Sequence, residues 1–480
     1  MAVHAFAPAT AALTKLRKMS EKTRANQARP DRSSEGRRPS RPTLLQSPAD
    51  IAGVGRRHAD AAVHPRVLAA SVIGGAIEWF DYFLYGALAS LVFGKLFFPA
   101  HDPAVGLMLS YATFAVTFFV RPLGGVVFSH LGDRVGRKKT LVITLTLMGG
   151  GTAMIGLLPT YQSVGLLAPA LLVLLRLLQG LGIGGEWGGA LLLAYEYAPP
   201  ERKGLFGSLP QTGVTIGMLL STLCVSLVSL LPDEAFLRWG WRLPFLASIG
   251  LVFIGMWMRA GIDETPEFKA MAATPRSDTR SPLRQVLQSH WREVLTAVGA
   301  KFVETGPFYI FTVFLVGYAT GVLDVPRFSA LNAVTVGALA ATVAIPICGW
   351  LSDRVGRRFV FLTGAALTAA YAPIYFMILG QRTPVAILWA TVIGMGLIWP
   401  LVTSVLGTLF SEIFSAEVRY TGVTLGYQTG AALVGGTAPL VATWLLHRQG
   451  GGWAGVAIYV SVTAMISILA VVLGARRRTA

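Results

Sequence analysis

The 480-residue chain is 53% hydrophobic and only 14% charged, with a mean hydropathy of +0.58, whereas a soluble protein carries about 25% charged residues. This excludes an ordinary soluble enzyme and describes a polytopic membrane protein, and the 53 glycines suit helices packed closely in lipid. The formal net charge of +17 does not mark a nucleic-acid binder, because much of the excess lies in the first 66 residues and in short loops, where it sets membrane orientation.

Residues 1–66 lack an apolar core followed by a small-residue cleavage site. From Lys15 the stretch is rich in Arg, Pro and Ser ("RPDRSSEGRRPSRP") and is expected to form a disordered, basic cytoplasmic tail. Apolar runs long enough to cross about 30 Å of hydrocarbon then follow. They lie near 67–94, 105–130, 139–159, 165–195, 205–231, 241–260, 293–319, 328–351, 358–379, 384–410, 420–446 and 453–474, twelve in all. The prediction is an all-α membrane protein with six-helix bundles at 67–260 and 293–474, a central cytoplasmic loop at 261–292 and a basic tail at 475–480.

One set of loops holds Arg134, Arg137, Lys138, Lys139, Arg202, Lys203, the basic residues of the central loop, and Arg354, Arg357 and Arg358. The opposite set holds little more than Lys95, Arg238, Arg327, Arg382 and Arg448. The basic set is expected to be cytoplasmic, with both termini inside. Cys224 and Cys348 fall within spans and read as packing residues, and the seven histidines have no metal-ligand spacing. Neither a metal site nor an enzyme is expected.

The halves repeat. "LGDRVGRKK" from Leu131 returns as "LSDRVGRR" from Leu351, "YEYAPPER" from Tyr195 is echoed by "SEIFSAEVR" from Ser411, and "QTG" at Gln211 returns at Gln428. Such order marks a duplicated transporter. The repeated loop, with "RLLQGLGIGGEWGG" from Arg176, resembles the signatures of the major facilitator superfamily. Together with "EWFDYFLYG", "RPLGG" at Arg121, "APPERKG" and "WGWRLPFL", it is similar to the metabolite:proton symporters, which include shikimate, α-ketoglutarate and proline/betaine transporters. One departure stands in the first loop copy: Ser129 precedes Asp133 where the pattern has Gly, whereas the second copy keeps Gly349 before Asp353.

The resemblance implies that Asp133, Arg134, Gly136 and Arg137, with Asp353, Arg354, Gly356 and Arg357, latch the cytoplasmic side. A carboxylate there could cap a neighbouring helix N-terminus. In the fourth span Arg176, Gln179, Ile183 and Glu186 share one helix face, which suits a water-filled cavity or a structural ion pair. Arg176 and Glu186 are about 15 Å apart by helical rise, so each needs a partner on another helix. Glu78, Asp81, Tyr82 and Tyr85 share a face of the first span, and Lys301, Glu304, Phe308 and Phe311 a face of the seventh. Two acids in a low-dielectric cavity cannot both stay ionised cheaply, so one is expected to carry a proton. Asp81 is the first choice, with Glu78, Glu186 and Glu304 as alternatives.

Arg121, Arg176, Gln179, Lys301, Tyr82, Tyr85, Trp187 and Phe308 are the substrate-binding candidates, and by resemblance Arg121 binds an anion or supports the inner gate. Tyr309 and Trp399 could also line the pocket. The glycines at 182, 184, 185, 188 and 189 are expected to allow close helix contact. The expected function is proton-coupled symport of a small organic anion, shikimate-like or a dicarboxylate, by alternating access. The partners are that carboxylate, protons and the bilayer, with no nucleic acid and no cofactor, for a chain acting as a monomer in the inner membrane. The alternatives are a zwitterionic osmolyte such as proline or betaine, or proton-antiport efflux.

Overall fold

The computed structural model describes residues 65–135, 137–183, 194–195, 198–260, 282–415 and 418–475. Residues 1–64, 261–281 and 476–480, together with Gly136, Gly184, Gly185, Glu186, Trp187, Gly188 and Gly189, therefore lie outside the described residues, as do the side chains of Asp133, Arg134 and Arg137.

The described chain is almost wholly helical. Helix α1 (Pro65–Leu88) runs on through a π turn (Ala89–Phe93) to Leu96, followed by α2 (Pro103–Val135), α3 (Arg137–Leu157), α4 (Leu167–Ile183) and α5 (Lys203–Val228). A π turn at Phe236–Gly240 leads at a bend of 42° into α6 (Arg242–Ala260). The second half begins with α7 (Trp291–Tyr309), which continues through a π turn (Ile310–Phe314) to Gly321. Then come α8 (Arg327–Val355), α9 (Arg357–Leu379) and α10 (Pro384–Thr391), the last carried by a π stretch (Val392–Ile398) into Trp399–Ile413. Helix α11 (Arg419–Gly430) passes through a π turn (Ala431–Gly435) into Ala438–Arg448, and α12 (Ala454–Ala475) follows. Among the described residues nine helices are long and apolar enough to cross a membrane, and ten when the bent pair is taken as one. Apolar stretches of α3 and α4 supply shorter segments.

The packing has six-helix periodicity. Helix α1 lies on α5 as α7 lies on α11, α2 on α4 as α8 on α10, and α3 on α6 as α9 on α12. The halves meet chiefly where α5 runs along α8 and α2 along α11. Buried chemistry is the reverse of a soluble core: Phe119, Leu123, Leu157, Phe253, Trp257, Phe359 and Ile458 point outward, while Asp81, Arg121, Arg176, Gln179, Lys301 and Glu304 are buried. Lipid supplies no hydrophobic drive between helices, so close packing and hydrogen bonds must hold them together.

Two glycines of α5 show this close approach. A Cβ on Gly213 would lie 2.6 Å from the Val72 carbonyl, and one on Gly217 would lie 2.5 Å from that of Ala76. Along the other side of α5, hydroxyls zip it to α8, Thr342 donating to Thr215 at 2.7 Å and Thr335 to Thr222 at 2.9 Å.

Candidate functional site

The half-interface encloses a cavity lined by Trp79, Phe118, Arg121, Gln211, Lys301, Glu304, Thr305, Phe308, Tyr309, Trp399 and Tyr427, among others. Its volume is about 20 Å³, enough for a water molecule and far below the ~300–1,000 Å³ of ordinary ligand sites. A metabolite can enter only if the helices part.

The half from α1 to α6 contributes two buried cations, Arg121 and Arg176. Arg121, carried into the centre by α2, is 2% exposed. Its guanidinium carbon lies 4.4 Å from the Phe118 ring, 4.6 Å from Tyr82 and 5.5 Å from Trp79. Arg176, 1% exposed on α4, lies 3.7 Å from the Tyr85 ring and 5.6 Å from Tyr82. Its Nη1 donates to Gln179 at 2.9 Å, and Gln179 in turn donates to Thr152 at 2.7 Å. Sequence spacing put the partner of Arg176 on another helix. The structure gives it a neighbour on its own helix and a ring from α1, because three-residue spacing already brings Gln179 within reach. In both arginines Nε and Nη2 have no hydrogen-bond partner among the described residues. Those two N–H groups form the parallel fork that matches a carboxylate.

The two acids of α1 diverge. Asp81 turns towards Thr152 of α3, outside the lining of the cavity, with Oδ1 unpaired among the described residues. Glu78 is also buried. Tyr82 and Tyr85 serve as faces for the guanidiniums, and Tyr85 shares a hydrogen bond with Thr113.

The half from α7 to α12 brings an ion pair to the cavity. Lys301 forms an ion pair with Glu304 and sits 3.4 Å from the Tyr427 ring centroid. Glu304 also accepts from Thr305 at 2.6 Å and from Thr403 at 3.1 Å, while Trp399 donates to its backbone carbonyl at 2.7 Å. Gln211 of α5 donates to Thr403 at 3.2 Å, joining this network to the other half. Phe308 packs on Trp399, their ring centroids 4.6 Å apart.

Both ends of the cavity are closed. On the face that carries the loop between α8 and α9, Asp353 accepts from the backbone N–H groups of Gly204 and Leu205 at 2.7 and 2.9 Å. A carboxylate thus caps the first turn of α5, where the helix dipole favours negative charge. Arg357 pairs with Asp353 and Glu412, Arg354 lies over Trp350, and Gly356 turns the chain at φ +95°. Gly349 allows the contact, since a Cβ there would lie 2.8 Å from the Gly204 carbonyl. On the opposite face Arg327, at the start of α8, donates to the carbonyl of Ser229 at 3.0 Å and to that of Leu231, and pairs with Asp233. There Ser90 also donates at 2.8 Å to the Val313 carbonyl, joining the π turns of α1 and α7.

Sequence reading missed Arg327, Glu412, Thr305, Thr403, Gln211 and Tyr427. Gln211 lay in a repeat noticed only as a mark of duplication. The hydroxyls carried no signal, because threonines inside spans usually bond to their own helix backbone.

Comparison with known proteins gives the frame for this geometry. The Major Facilitator Superfamily profile matches residues 71–425. The shikimate transporter of Escherichia coli K12 is 40% identical over 411 residues, covering 85% of this chain and 94% of that protein. The inner membrane metabolite transport protein YhjE of the same organism is 40% identical over 414 residues (85% and 93%). The proline/betaine transporter of Salmonella typhimurium is 32% identical over 394 residues (80% and 78%). The xylose transporter XylE of E. coli, in a partially occluded inward-open conformation, superposes with a TM-score of 0.66 at 16% identity, over 85% of this chain and 96% of that one. The chain is a multi-pass membrane transporter of the Major Facilitator Superfamily, similar to its shikimate and other metabolite carriers.

Proposed function

We propose that the protein is a proton-coupled symporter that imports a small organic anion, a shikimate-like or dicarboxylate metabolite, across the inner membrane by alternating access. The observation that carries this reading is the pair of buried guanidiniums whose Nε–H and Nη2–H edges have no acceptor among the described residues. Burying unpaired cationic donors is costly, and a carboxylate reaching the cavity would satisfy the fork of Arg121. The aromatic walls suit a ring or short carbon skeleton, and Gln211 and Thr305 offer partners for hydroxyls at its other end. The basic loops and both termini are assigned to the cytoplasm, so the Asp353 latch closes the inner face and Arg327 the outer. The membrane potential supplies about 2.3 kcal/mol per charge per 100 mV, and the monomer needs no cofactor.

Uptake of labelled shikimate, 2-oxoglutarate, benzoate and proline into proteoliposomes tests the reading, with Arg121→Lys as the control. Lysine keeps the charge and loses the fork. The expected result is uptake of a carboxylate whose KM rises at least roughly tenfold in the variant. Uptake of proline alone would favour the osmolyte reading. Absence of uptake, with outward transport of these compounds, would favour efflux.

A further inference from the structure

We infer that a groove between α5 and α8, on the face that carries the α8–α9 loop, is a binding site for an anionic phospholipid. Small residues draw these two helices together: a Cβ on Gly349 would lie 2.7 Å from the Ser208 Cβ and 2.8 Å from the Gly204 carbonyl. Beside that contact Leu205 of α5 and Pro346, Ile347 and Trp350 of α8 line an open groove of about 340 Å³. Its volume falls in the ~300–1,000 Å³ range of ordinary ligand sites. The lining is apolar, and Ile347 and Trp350 are 56% and 43% exposed within a span long enough to cross hydrocarbon. In a bilayer this groove meets lipid.

The residues that lead out of the groove fit the rest of a phospholipid. Pro346, Trp350 and Arg354 recur at four-residue intervals, which sets them on one stripe of α8 running towards the loop. Over about 12 Å of helical rise the stripe passes from apolar to aromatic to cationic. A phospholipid presents matching groups in the same order: acyl chain, glycerol backbone at the interface, phosphate. Tryptophan suits the headgroup level, and an arginine fork donates parallel hydrogen bonds to phosphate oxygens. The Arg354 guanidinium carbon lies 3.7 Å from the Trp350 ring centroid, and Arg354 is exposed at the end of its span. Arg202, also exposed, stands three residues before Leu205 and adds positive charge from the other half. A free phosphate would use the cations and leave the apolar groove without a role.

Leu205 belongs to one half and Pro346, Ile347 and Trp350 to the other, so a chain lying in the groove spans both beside the Asp353 clamp. The orientation proposed above makes this the inner leaflet, whose anionic headgroups attract basic segments. Only that orientation is taken from the symporter reading; the substrate plays no part.

The test places the full chain in phosphatidylcholine nanodiscs that contain a small fraction of phosphatidylglycerol brominated on its acyl chains. Bromine quenches nearby tryptophans, and subtracting the signal of Trp350→Phe isolates Trp350. The expected result is at least roughly twofold more quenching of Trp350 by brominated phosphatidylglycerol than by the same fraction of brominated phosphatidylcholine. That excess should vanish in Arg354→Gln, measured against its own Trp350→Phe partner, and should withstand millimolar inorganic phosphate. Equal quenching by the two lipids would overturn the site, as would an excess that survives Arg354→Gln. Loss of the excess to inorganic phosphate would make this an ion site and overturn the lipid assignment. No transported substrate enters these measurements, so a protein that carries none of the carboxylates would lose the symporter reading and keep this one.

Discussion

Arg121 and Lys301 line one cavity in opposite electrostatic circumstances, and substitutions should separate them. Lys301 is paired, so Lys301→Met leaves Glu304 as an uncompensated buried acid and should cost about 3–5 kcal/mol of stability. Adding Glu304→Gln should restore much of that loss. Arg121 has two donors without acceptors among the described residues, so Arg121→Met should leave the melting temperature unchanged or raised while abolishing anion uptake. Thermal unfolding of the three variants in detergent measures the difference. A fall in Tm for Arg121→Met comparable to that for Lys301→Met would make Arg121 a structural residue. The sequence showed that charged residues stand inside apolar spans, and it placed Arg121, Arg176, Lys301 and Glu304 among the candidates. It could not show which cations were paired. The spacing of Lys301 and Glu304 permits a bond, but the direction of Asp81 towards Thr152 depends on how α1 is rotated against α3.

Helices α5 and α8 hold one another by both ends. The carboxylate of Asp353 caps the N–H groups at one end of α5, and the guanidinium of Arg327 meets carbonyls at the other. Each charge has the sign the helix dipole prefers. The exposed Asp233 contact adds little to the Arg327 end, where the carbonyl contacts matter more. Opening the transporter on either side requires releasing only one clamp. Asp353→Asn and Gly349→Ala should therefore favour opening on the face with the α8–α9 loop, and Arg327→Ala should favour opening on the other. Maleimide labelling of Val214→Cys, a cavity residue, reports this in a background lacking Cys224 and Cys348. The expected change is at least a roughly threefold gain in labelling from the named side, and a gain from the opposite side would refute the clamp. One half of this device had a sequence signal, because the repeated loop resembles a family signature and sets a carboxylate between two spans, where it could cap a neighbouring helix N-terminus. The Arg327 end had none, since a lone arginine after a proline looks like any other loop charge.

Across the whole molecule, duplication explains the repeated packing, and the functional asymmetry lies within it. Glu78 and Asp81 correspond to Lys301 and Glu304 by position, yet the second half holds a cavity-facing ion pair while Asp81 of the first turns to α3. The architecture was legible because apolar runs, loop charge and repeats all follow from the bilayer as solvent. The closed state was not, since it depends on contacts between residues more than 100 positions apart, such as Gly204 with Asp353 and Ser90 with Val313. The most direct measurement of the central claim is proton influx into wild-type proteoliposomes holding a pH-sensitive dye, with shikimate, 2-oxoglutarate, benzoate and proline added outside in turn. The account expects the lumen to acidify with at least one carboxylate, and to do so faster under a membrane potential negative inside if more than one proton accompanies each monoanion. Acidification with proline alone, or with none of the four, would contradict it.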